Sequence, residues 1–103
     1  MEGLGKYYKE ENWQYVLENV VPIEFEKNKA FYERIREDGI FNDDVCKVLA
    51  TFSTHIFSGQ IDNYKKWLRT KQPMLDGFTP FEIRDQPRGV DTLKEYLLRY
   101  PKI

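Results

Sequence analysis

Residues 67–89, WLRTKQPMLDGFTPFEIRDQPRG, constrain the fold more than any other stretch of this sequence. Leu68 closes a helical pattern. Pro73 has no N–H and biases Gln72 away from the α region, so the helix cannot run on. Asp76-Gly77 supplies a turn in which glycine takes a positive φ. Thr79 then caps a new helix, Pro80 suits its first position, and Glu82 completes a capping box. Pro87 and Gly89 stop that short helix and open another. The spacing therefore predicts helix, shaped loop, short helix, turn, helix.

The rest of the chain is read around this stretch. Residues 11–21 place Trp13, Val16, Leu17, Val20 and Val21 at helical spacings, although Trp13, Tyr15 and Leu17 also alternate as a strand would. Helix is the preferred reading, and Pro22 opens the next one. Residues 23–38 read as one charged helix with Phe31 and Ile35 on a face flanked by Ala30 and Arg34. Glu26–Lys29 and Glu33–Arg36 are its candidate ion pairs, and Gly39 stops it. Asn42-Asp43-Asp44 is a cap cluster with acids favourable to the helix dipole. Val45, Val48, Leu49, Phe52 and Ile56 form one stripe of a single helix ending at Gly59. Residues 60–70 give a shorter helix with Ile61, Tyr64 and Leu68 on one face and Trp67 beside it. The final helix, about 89–100, carries Val90, Leu93, Leu97 and Tyr100, and Pro101 stops it. Residues 1–10 are polar apart from Leu4, Tyr7 and Tyr8, with no element expected and fraying at the start. The expectation is an all-α, compact bundle of five to six short helices.

A length of 103 residues makes one domain the default, with 41% hydrophobic and 32% charged residues fitting a soluble globular chain. No apolar run reaches the roughly 18 residues of a membrane span, and the first residues lack a signal-peptide pattern. The lone Cys46 suits a reducing cytoplasm. With a net charge of −1, bulk attraction to polyanions is excluded as a driving force. Residues 1–42 hold 6 basic and 9 acidic residues, and residues 43–103 hold 10 and 8.

The chemistry of an enzyme is missing, so no catalytic, metal or cofactor site is expected. His55 and Cys46 would stand about 13 Å apart on one helix, too far for a nucleophile–base pair. Asp43-Asp44 is better read as a cap than as a metal pair. The basic run Lys65, Lys66, Arg69 and Lys71 encloses Trp67. It reads either as a solvated helix end whose cations suit the dipole or as a nucleic-acid surface. The 16 aromatics are mainly core filling, and an exposed subset near the N-terminus would instead mark an interface.

Trp67, Leu68, Arg69, Thr70, Pro73, Leu75, Gly77, Thr79, Pro80 and Gly89, in this order and spacing, resemble the toxin-binding domain of Xre/MbcA/ParS-type antitoxins. The resemblance covers roughly residues 45–100 and leaves residues 1–44 unmatched. It implies a 45–103 toxin-binding domain, joined with 1–44 in one structural unit. The implied partner is a RES-type toxin that attacks NAD, and the implied action is blockage of that toxin's active-site entrance. By position, Arg69, Arg84, Arg88, Arg99, Tyr100, Lys102 and Ile103 are the candidate partner contacts. Trp67, Leu68, Pro73, Leu75, Gly77, Thr79, Pro80 and Gly89 are the shape-setting set. Many members of that family carry a helix-turn-helix domain that binds their own promoter. Residues 1–44 are short for one and net acidic, which opposes DNA binding and favours a dimerising or partner-specific layer. The second reading is a small DNA-binding autoregulator acting as a homodimer.

Overall fold

The cap cluster at residues 42–44 shows how local sequence chemistry sets the elements. In the computed structural model, which describes residues 4–99, the Asn42 side chain accepts a hydrogen bond from the Val45 N–H. Asp43 and Asp44 then lie in the first turn, where their charge offsets the unpaired amides. The helix they start, α4, runs Asp43–Thr51 and buries Val45, Val48 and Leu49.

The described residues form an all-α bundle without a strand. Besides α4, its helices are α1 (Glu10–Asn19), α2 (Val21–Glu24), α3 (Lys29–Glu37), α5 (Ser53–Phe57), α6 (Ile61–Leu68), α7 (Pro80–Ile83) and α8 (Gly89–Arg99). Only Val20 separates α1 from α2, and only Phe52 separates α4 from α5, so the eight segments make six helical stretches. That is the compact bundle of five to six helices expected from periodicity. Its radius of gyration, 12.7 Å, is close to the ~13 Å of a folded 100-residue domain. Residues before and after the unmatched boundary share one buried cluster: Trp13, Val21, Tyr32 and Ile35 pack with Val45, Leu49, Tyr64 and Leu97.

Four local expectations are corrected. The helix expected over residues 43–58 breaks at Phe52, whose φ and ψ are −100° and 14°. The buried Thr51 hydroxyl donates to the Lys47 carbonyl at 2.8 Å, a back-bond of the kind that bends helices. Phe52 and Ile56 are consequently only partly buried, and Cys46 and His55 sit on separate helices. Residues 23–38 are not one helix either: a 3-10 turn, Phe25–Asn28, precedes α3. The Asn28 amide donates to the Glu24 carbonyl at 3.2 Å and competes with the helical ladder. The ion pairs formed there are Glu24–Lys27 and Arg34–Glu37, while Arg36 turns to Asp43 at 3.7 Å.

The third correction is at the front. No element was expected in residues 1–10, but a 3-10 turn, Leu4–Tyr7, packs on α8 with Gly5 buried. A Cβ on Gly5 would stand 2.7 Å from the Thr92 hydroxyl, so only glycine lets the backbone approach α8 this closely. The fourth concerns α8, whose inward stripe is Leu93, Tyr96 and Leu97, whereas Val90 is exposed. Tyr100, Lys102 and Ile103 lie outside the described residues.

Candidate functional site

The loop between α6 and α7 is closed by its own backbone. The Gln72 N–H donates to the Phe78 carbonyl and the Gly77 N–H donates to the Gln72 carbonyl, each at 3.0 Å. Pro73 opens a 3-10 turn, Pro73–Leu75, that points Leu75 into the core. Asp76 and Gly77 both take positive φ, 57° and 83°; the glycine was expected there and the aspartate was not. Thr79 and Glu82 exchange the two 3.0 Å bonds of a capping box, with Pro80 at the helix start. Trp67, Leu68, Leu75, Thr79, Pro80 and Gly89 are buried, while Pro73 and Gly77 face solvent on the loop. The Trp67 indole N–H reaches the Tyr96 hydroxyl at 3.4 Å, and its ring packs against Phe57 and Tyr64. These residues hold a shape.

The candidate arginines fall into two groups. Arg69 is exposed and helps form a hollow of about 380 Å³ with Ile40, Leu68, Thr79, Phe81 and Glu82. Arg84 reaches the same place: its guanidinium lies 4.2 Å from the Phe81 ring centre and donates to the Ile40 carbonyl at 2.8 Å and the Phe81 carbonyl at 2.9 Å. Phe81 is 47% exposed, so an aromatic face held by an arginine stands beside Arg69. Sequence reasoning passed over Phe81, although its place just after Pro80 in a capped single turn was a signal.

Arg88 and Arg99 lie elsewhere and serve the fold. Arg88 donates to the Gly5 carbonyl at 2.9 Å. Arg99 pairs with Glu95 at 2.7 Å and lies over the Tyr7 ring at 5.2 Å. Both tie the first described turn to α8. Tyr100, Lys102 and Ile103, the remaining candidates, lie outside the described residues.

In the basic run, Lys65, Lys66, Arg69 and Lys71 are exposed but Trp67 is turned into the core and offers them no stacking surface. Cys46 is buried, and desolvation pushes its thiol up to about 11, which leaves it protonated and unreactive at neutral pH. His55 is exposed on α5. Among the described residues, no group of three His, Cys, Asp or Glu side chains is placed to hold a metal, and no helix is long and apolar enough to cross a membrane. Of the aromatics near the N-terminus, Tyr7 and Tyr15 are exposed.

Comparison with family models, with curated proteins and with solved structures returns no match to this chain.

Proposed function

We propose that this chain is an antitoxin-like protein of the cytoplasm that binds a RES-type, NAD-attacking toxin and blocks its active-site entrance. The observation that supports the reading most is the Arg69–Phe81–Arg84 cluster on the rim of the module built by residues 67–89. An exposed aromatic beside arginine forks is the composition of an interface anchor rather than of a reaction centre. The protein acts by occupancy and contributes no catalytic group of its own. The pre-closed 72–78 loop lowers the ordering cost of association, because the rim has its shape before the partner arrives.

Co-expression with the product of the adjacent gene tests this. The neighbour should arrest growth alone and be harmless beside this chain. Arg69→Glu and Phe81→Ala should each weaken the complex by about 2 kcal/mol, roughly 30-fold, with an unchanged melt. A neighbour that is harmless alone, or toxic and unbound in the presence of this chain, overturns the reading.

The second reading, a DNA-binding regulator, draws support from the exposed Lys65, Lys66, Arg69 and Lys71 at the end of α6. A gel shift on the upstream DNA decides it. Binding that survives about 0.1 M salt and falls steeply above would favour that function.

A further inference from the structure

One hollow lies away from the 67–89 module, where α1 faces α8 across the Phe52 break. It measures about 420 Å³. Val16, Phe52 and Leu98 give it apolar walls, and Asn12 and Tyr15 form part of its lining. Among these sits one acid, Glu95, whose side chain is only 10% exposed. Arg99 holds its Oε2 at 2.7 Å, but Oε1 is shielded from solvent and accepts no hydrogen bond. A carboxylate with one oxygen left so is costly, and a cation held against the wall that Glu95 lines would stabilise its charge.

The surface around the groove says what kind of molecule brings that donor. Tyr15 is 63% exposed. Tyr7, which lies outside the hollow under the Arg99 guanidinium that pairs with Glu95, is 54% exposed. Apolar exposure therefore extends beyond the hollow, further than a small amine could cover. Charge complementarity and this extended apolar edge point the same way.

We infer that the α1–α8 groove is a docking site for a segment of a partner protein that presents a lysine or arginine among apolar residues, the cation pairing with Glu95. The groove is distinct from the Arg69–Phe81–Arg84 rim, and the inference does not rest on the toxin reading. A segment bound here would lay its apolar residues against Tyr15, Val16 and Leu98 while its charge enters the acid's side of the groove.

The test uses the full chain and an amphipathic helical peptide of leucine and lysine, compared with the same peptide carrying glutamine in place of every lysine. Amide chemical shifts are followed on titration. The lysine peptide should perturb Asn12, Val16, Phe52 and Leu98 and bind at least about tenfold more tightly than its glutamine twin. Glu95→Gln should abolish that preference. Asn12→Lys, a surface change that supplies a cation to the groove from the protein itself, should do the same with an unaltered melt. It therefore decides the matter even where Glu95→Gln fails to fold. Absence of binding, equal binding of the two peptides, perturbations centred elsewhere, or a preference that survives Asn12→Lys would each overturn the proposal. If n-hexylamine binds the groove as tightly as the lysine peptide, the site serves a small amine and the docking of a protein segment is refuted.

Discussion

A Cβ added to Gly89 would stand 1.6 Å from the carbonyl oxygen of Ile83. The end of α7 and the start of α8 are thus in backbone contact, and the turn through Pro87 leaves no room for a side chain at Gly89. No flexible side chain can yield here, since the obstacle is main chain. Gly89→Ala should cost about 3 kcal/mol or more, at the upper end of overpacking effects, or prevent folding. Denaturant unfolding checks this, and a variant within 1 kcal/mol of the parent would show that α7 and α8 can separate freely.

The break at Phe52 separates two otherwise similar apolar positions. Leu49 is fully buried on α4, and Leu49→Ala should destabilise by roughly 2–5 kcal/mol. Phe52 is partly buried and lines the α1–α8 groove, so Phe52→Ala should cost less than Leu49→Ala. Equal losses in urea melts would mean that α4 and α5 form one continuous helix in solution.

Tyr64 carries a fully buried hydroxyl with no hydrogen-bond partner, and desolvation pushes its phenol above the ordinary range. Tyr64→Phe keeps the ring contacts with Phe57 and Trp67 and removes the unpaired group. It should be neutral or stabilising by up to about 1 kcal/mol. A clear fall in the unfolding midpoint would expose a partner for that hydroxyl.

The Tyr32 hydroxyl donates to the Asp43 carboxylate, joining α3 to α4, and Lys47 and Arg36 stand beside it. The hydrogen bond from Tyr32 is the main reason that the Asp43 carboxyl is held below its usual range. Its contribution to stability is present above the ordinary aspartate pKa of ~3.9 and is lost as pH falls through the depressed value. Acidification below about pH 4 should therefore lower Tm. Asp43→Asn should lower Tm at neutral pH by a few degrees, on the order expected of a partly screened pair, and flatten the acid limb. An acid limb of unchanged slope in the variant would assign the effect to other carboxylates, with Glu82 in the capping box the first to examine.

Punctuation was legible in the sequence because it acts over three or four residues. The Asn42 cap, the Thr79–Glu82 box, the Asp76-Gly77 turn and the stop at Gly39 depend on neighbours that are always neighbours. The all-α class followed from the same local periodicity. Tertiary structure decided what periodicity cannot encode. Gly5 reads as part of a polar terminus with no element until α8 is placed against it, and Gly89 reads as a helix start until Ile83 is found pressed on it. Trp67 read either as part of a basic surface or as one of the shape-setting residues, and packing turned it onto Tyr64 and Tyr96. Arg69 and Arg84 are fifteen residues apart and meet only through Ile40 and Phe81, while Arg88 and Arg99, equally plausible in the sequence, are carried away from that rim to Gly5, Tyr7 and Glu95; Arg84 also bonds the fold, but beside Arg69. Local sequence set where helices begin and end, since caps, turns and stops are short-range hydrogen-bond chemistry. Which charges remain available for a partner was decided by packing, since it depends on contacts between residues far apart in the chain.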